Sequence, residues 1–493
     1  MIRTRICLYV LLLTPFLVYS QTVFHEYAFR DDYASTREAR EEPSKIVHQM
    51  ASQGRPLAGA LVETTFNVVN DITRLPLLRF LSVALLTLLG IALWRQLFQS
   101  GWSEIEAAAI GLGLVLLPAG QVMASWASGW PFVLALLLAV AGFSAIETEL
   151  ERGGLKRMVA LLGGCLIYSL AAFIYQENAF FAIVPIAAVL LVRSGRESLT
   201  DLKWCAMHLA ALGLGVAFSY LVVRMMFSNG VFHETGRLQL ETNPLTKLGW
   251  FFWQPLPDAL ALYALRDDFN LGAGIFWGAA VLVVAVIGFG WRTGVKTDAA
   301  LGRRWALCAL AAPFLAHGVN LISAERTAGY RTLFPLAGLV LVLVVFTLRS
   351  LRTTGRLKLP AYYGALAVLV GVAAWTAHRN SLGLIAEPQG NEWELVQNAV
   401  NRTSFKAGTK VYCVLARPAD RSTDRMFSDE FGAITASTDV AAKEMFKAAM
   451  RDRYGAKLPK GVSFTFASGF DEPARGAYDL VVDMRKLKTL RAP

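Results

Sequence analysis

The sequence predicts an α-helical polytopic membrane protein of about eleven transmembrane helices with a small soluble α/β domain at its C-terminal end. Three observations predict it. Apolar runs of spanning length recur along most of the chain, lysine and arginine gather in the short loops between them, and the last part replaces those runs with polar, alternating sequence. With 55% hydrophobic residues, 17% charged residues and a mean hydropathy of +0.44, the 493-residue chain is too apolar for a soluble protein of its length. The net charge of +11 lies mostly in loops, so it reports topology and excludes a nucleic-acid partner.

The first element is the apolar run 6–20 behind Arg3 and Arg5. No small-x-small cleavage site closes it, so it reads as a retained helix rather than a signal peptide. Further passes are expected at 77–94, 104–123, 130–147, 158–176, 178–192, 204–224, 271–291, 305–322, 332–348 and 360–377. A cytoplasmic N-terminus puts Arg95, Arg152, Lys156, Arg157, Arg193, Arg196, Lys203, Arg292, Lys296, Arg303, Arg304, Arg349, Arg352, Arg356 and Lys358 on one side, as basic loops require. The long loop 21–76, the short turn 124–129, the junction near 176–178, the loop 225–270, the link 323–331 and the tail from 378 onward then share the opposite side. The organisation expected is a membrane domain over 1–377 and a soluble domain over 378–493. In that tail 410–415, 463–467 and 480–484 read as strands and 439–454 as a helix.

Five scattered cysteines without a CxxC pair, and His233-Glu234 without a second histidine four residues on, indicate neither a disulfide framework nor a zinc site. No metal ligand is assigned. A hard divalent cation such as Mg or Mn is compatible with paired acids, but nothing compels one, and no other cofactor is expected.

Candidate site residues cluster on the non-cytoplasmic side. Asp31 and Asp32 are adjacent carboxylates that point different ways, so one can face a substrate while the other is held by a cation. Arg55 follows in the same loop, where Arg74 and Arg79 read equally as interfacial arginines snorkelling to headgroups or as site residues. Tyr175, Gln176, Glu177 and Asn178 interrupt an apolar stretch where lipid accepts almost no polar side chain, which marks a cavity or a tight turn. The link 323–331 offers Glu325, Arg326, Tyr330 and Arg331, and arginine's planar donors suit a phosphate. Trp250 to Trp253 read as a segment lying along the membrane surface.

The Asp31-Asp32 pair, Gly54-Arg55-Pro56, Tyr175-Gln176 and Tyr330-Arg331 together resemble the bacterial O-antigen glucosyltransferase type II family, within the GT-C superfamily of integral-membrane glycosyltransferases. The resemblance covers 1–350 as architecture and only these short motifs as sequence. It implies an inverting, glucosyltransferase-like hexosyltransferase of the bacterial inner membrane, with a cytoplasmic N-terminus and a periplasmic tail. Its partners would be a polyprenyl-phosphate-sugar donor, a glycan or lipid-linked acceptor of the cell envelope such as O-antigen or lipopolysaccharide, and membrane lipids. Asp31 or Asp32 would be the base, Glu177 would position the acceptor or orient an arginine, and Arg55, Arg326 and Arg331 would support the leaving phosphate. Tyr175, Gln176, Glu325 and Tyr330 would complete the binding site. The competing class is a transporter or flippase, which calls for discontinuous helices in matched halves, and no internal repeat is visible. A membrane scaffold displaying its tail would leave the acids replaceable.

Overall fold

A computed structural model describes residues 2–150, 154–193, 198–269, 274–423, 430–455 and 457–490. The expected basic residues Arg152 and Arg196, and the first residues of the expected pass 271–291, lie outside them. Among the described residues, seven helices are long and apolar enough to cross a membrane: Ile72–Gln99, Ala127–Leu150, Gly154–Ile174, Thr200–Ser228, Gly274–Lys296, Phe334–Thr353 and Leu359–Arg402. A pair bent by 55°, Glu104–Val115 with Pro118–Ser125, makes an eighth if counted as one span.

The expected count of about eleven is therefore not reached by length and composition, for local reasons. Pro118 opens the second half of the bent pair and holds Leu117 extended, at ψ 155°, so the first half stops before it. The expected pass 305–322 is interrupted: Ala299–Ala306 leads through a π turn, Leu307–Ala311, into the short helices Ala312–Ala316 and Gly318–Ile322, with Pro313 opening the first of these. The first helix, Ile2–Val18, and the run Gln176–Val192 are shorter than the crossing helices.

Phe334–Thr353 stands at the centre, its most apolar window 83% buried, whereas that of Gly274–Lys296 is only 22% buried and faces outward. Between apolar helices no hydrophobic force distinguishes partner from lipid, so close packing at small residues decides the contacts. A Cβ at Gly111 would stand 2.7 Å from the Gly90 carbonyl oxygen of the neighbouring helix. That approach is open only to glycine.

The tail holds a parallel three-stranded sheet in the order β2-β1-β3, with β1 Thr409–Val414, β2 Phe464–Gly469 and β3 Leu480–Asp483. Val411 of β1 is in register with Phe466 and Leu480. Helix Asp439–Tyr454, capped by the Thr438 hydroxyl accepting from the Ala441 amide, makes the crossover from β1 to β2 and buries Met445, Phe446 and Met450 with Val411 and Val482. The last crossing helix continues through a π turn, Ser381–Ala386, into Glu387–Arg402, so one helical run passes through the boundary expected at 377/378. Ion pairs also bind the tail to the first loop: Arg37 of helix Asp32–Glu41 meets Glu444 at 2.7 Å, and Arg451 meets Glu41.

Candidate functional site

Four of the segments expected on one side, 21–76, 176–178, 225–270 and 323–331, line a single cavity. The Thr235 hydroxyl donates to the Ser52 carbonyl at 3.0 Å, and Arg237 donates to the Gln53 side chain at 2.8 Å, joining the loop 225–270 to the first loop. Leu240 bridges Ser323 antiparallel, with Glu241 N–H donating to Ile322 O and Ala324 N–H to Gln239 O, both at 2.8 Å. This fastens the same loop to the link 323–331.

Behind these joints lies a cavity of about 430 Å³. Its polar lining includes Arg55, Gln176, Glu177, Arg237 and Glu325. Its apolar wall is one face of helix Ser198–Ser228, where Gly213, Val216, Ala217, Tyr220 and Val223 recur at helical spacing. The space is therefore amphipathic, lined both by these ionic and polar groups and by a largely apolar helix face.

The turn residues hold that polar lining in place. Helix Gly154–Ile174 stops because Tyr175 is extended, at φ −158° and ψ 109°, and helix Gln176–Ala179 restarts at once. The turn and the cavity, alternatives in the sequence, are both present. The Arg55 guanidinium lies 4.3 Å from the Tyr175 ring centroid, a stacking contact that orients it. It donates to the Gln176 side chain at 3.4 Å and stands 3.7 Å from one Glu177 carboxylate oxygen. The other Glu177 oxygen is buried without a hydrogen-bond partner. Asn178 is structural, donating to the Phe132 carbonyl at 2.8 Å.

The two aspartates differ sharply. Asp32 is fully buried and accepts three backbone amides, from Phe29 at 3.3 Å and from Ala127 and Ser128 at 3.2 Å. Burial pushes its carboxyl up to about 7, against the pull of those amides and of Arg79. Asp31 is exposed and its side chain caps nothing. The turn is set by Arg30, which holds a left-handed φ of 49°. It is held in place by Arg79, which is fully buried rather than interfacial and donates to the carbonyls of Thr22 and His25 at 2.6 Å and Tyr27 at 2.9 Å.

In the link, Glu325 lines the cavity and accepts from the Thr327 hydroxyl at 2.9 Å. Arg326 lies outside the lining, exposed and paired with Glu241 at 2.9 Å. Tyr330 is buried and accepts the Arg266 amide at 2.8 Å, so it is a packing residue. Arg331 stands 5.1 Å from the Trp126 ring, reaches the Tyr175 phenol and pairs with Glu430 of the tail at 3.4 Å. Trp126 also packs edge-on against Phe29 at 5.2 Å, so contacts run from the Asp31-Asp32 turn through Trp126, Arg331 and Tyr175 to Arg55.

Sequence reasoning passed over Lys247, Asp258 and Glu430. Lys247 is 1% exposed, and its ammonium donates to the Glu325 carbonyl at 2.5 Å and lies 4.4 Å from the Trp250 ring. Burial lowers its amine to about 8. Its place beside an aromatic run was the available signal. The aspartates do not fit a metal: both Asp32 oxygens are used by amides, and among the described residues no group of three or more His, Cys, Asp or Glu converges. No protein-family model and no curated protein matches the chain.

Proposed function

We propose that the chain is an inverting membrane glycosyltransferase that moves a hexose from a polyprenyl-phosphate carrier to a cell-envelope glycan or lipid-linked acceptor, on the periplasmic side of the bacterial inner membrane. The observation that carries the reading is the amphipathic cavity, whose apolar helix face suits an isoprenoid chain and whose Arg55 and Arg237 suit the phosphate at its end. The motif resemblance supplies the reaction class.

In this reading Asp31, exposed and uncommitted as a cap, takes the proton of the acceptor hydroxyl as that oxygen bonds to the anomeric carbon. The bond from that carbon to the phosphate oxygen breaks, and the phosphate leaves as an anion that arginine charge stabilises. Asp32 builds the turn that presents Asp31, and Glu177 orients Arg55.

One observation favours a second reading. The bent pair Glu104–Val115 with Pro118–Ser125 and the interrupted run from Ala299 to Ile322 are broken helices of the kind transporters use. Transfer of radiolabelled sugar from polyprenyl-phosphate donors to lipid-linked glycans, in membranes with matched expression, separates the two. Transfer by wild type that is lost in Asp31→Asn supports the enzyme. Silence of wild type with every donor supports the transporter.

A further inference from the structure

The soluble tail reaches into the membrane domain. Residues 430–436 form a strap: Gly432 N–H donates to the Leu384 carbonyl at 2.6 Å, Gln389 donates to the Ala433 carbonyl at 2.8 Å, and the Arg30 amide donates to the Thr435 hydroxyl at 3.1 Å. Phe431 packs edge-on against Tyr330 at 5.6 Å. The strap thus touches both the link 323–331 and the turn before Asp31.

At its head, Glu430 has no exposed surface, accepts the Tyr330 amide on one carboxylate oxygen at 2.8 Å and meets Arg331 with the other at 3.4 Å. The fit is close, since a Cβ at Gly329 would stand 2.6 Å from the Glu430 oxygen that meets Arg331. Arg331 in turn lies against Trp126 and the Tyr175 phenol, beside the stacked Arg55.

We infer that the tail domain completes the site through Glu430, a positioning residue that holds Arg331 toward Tyr175 and the carrier phosphate. The inference rests on the transferase reading. Burying a carboxylate is costly unless it is paired, and here the pairing joins the tail to Arg331, which connects through Trp126 to the Asp31 turn and through Tyr175 to Arg55. A cap that merely closed the cavity would need no buried charge at this contact.

The test is steady-state transfer by the full-length protein, with the carrier concentration varied, for wild type, Glu430→Gln, Gly329→Ala, Arg331→Lys and the double variant Glu430→Gln with Arg331→Lys. A glutamine at 430 keeps its oxygen on the Tyr330 amide and turns its own NH₂ toward Arg331, removing the pair while preserving the shape. The expected result is a KM for carrier raised about tenfold with kcat little changed, a smaller shift for Gly329→Ala, and a double variant no worse than Arg331→Lys alone. A thermal melt on each protein reports folding, and a structural role would lower the melting midpoint and active fraction without moving KM. Unchanged KM in Glu430→Gln, or additive effects in the double variant, overturns the inference while wild-type transfer preserves the enzyme reading. Wild type that neither transfers nor retains a photoreactive polyprenyl phosphate overturns both.

Discussion

Gly54 and Gln176, 122 positions apart, close on each other: the Gln176 amide donates to the Gly54 carbonyl at 2.6 Å, and a Cβ at position 54 would stand 2.7 Å from that same nitrogen. Gly54 also holds φ at +80°, a conformation that strains any residue with a side chain. Gly54→Val should therefore push Gln176 off the Arg55 guanidinium and lower transfer at limiting carrier by about tenfold or more, the left-handed strain alone being of order 1–2 kcal/mol. Carrier titrations read the effect. An unchanged KM would mean that the Gln176 contact does not shape the cavity.

Asp31→Asn and Asp32→Asn should fail in different ways. Loss of a general base lowers kcat by about 10²–10⁴-fold, and because Asp31 is exposed its amide should leave the melting midpoint unmoved. In Asp32→Asn one acceptor oxygen becomes a donor facing a backbone N–H, which orphans a buried amide at about 1–3 kcal/mol. The melting midpoint should fall, and the residual activity should follow the folded fraction. Reversed behaviour would make Asp32 the base.

The contrast between these neighbours shows what the sequence carries and what it does not. Helix Asp439–Tyr454 was legible to the residue, and the strands to within a residue or two, because helical and strand periodicity are local signals. The grouping of Arg55, Gln176, Glu177 and Glu325 followed from loop charge, which assigned their segments to one side. Which aspartate is buried depends on amides 95 and 96 positions away, and the Arg331 partner lies 99 positions on, so no periodicity announces either. The π turn at Leu307–Ala311 falls inside a continuous apolar run, where spacing alone reads as unbroken helix.

Lys247 gives the site a pH dependence. Its amine is lowered from the usual lysine range to about 8 by burial, so it carries a positive charge below pH 8 and loses it above. Its ammonium donates to the backbone carbonyl of Glu325, a residue that lines the cavity, so that charge lies behind the lining rather than in it. The KM for an anionic carrier should rise as pH passes through about 8, and Lys247→Met, which keeps the apolar stem over Trp250, should raise KM below pH 8 and abolish the step. A pH profile of KM on both proteins decides it, and an identical step in the methionine variant would assign the titration elsewhere.

Asp258, on helix Pro255–Leu260, is buried with neither carboxylate oxygen hydrogen-bonded, and its nearest cation, Arg266, stands 3.9 Å away. Burial raises its carboxyl from 3.8 to about 7. The folded chain therefore binds this proton more tightly than the unfolded chain, and the group's contribution to stability, complete below pH 4, is lost as pH rises through about 7. Asp258→Asn removes the titration. The difference in melting midpoint, variant minus wild type, should grow in the variant's favour from pH 4 to about 7 and then level off, whatever the asparagine does to packing at every pH alike. A difference that stays flat across this range would show that Asp258 ionises freely in the folded protein, and that its burial is relieved by solvent reaching the carboxylate.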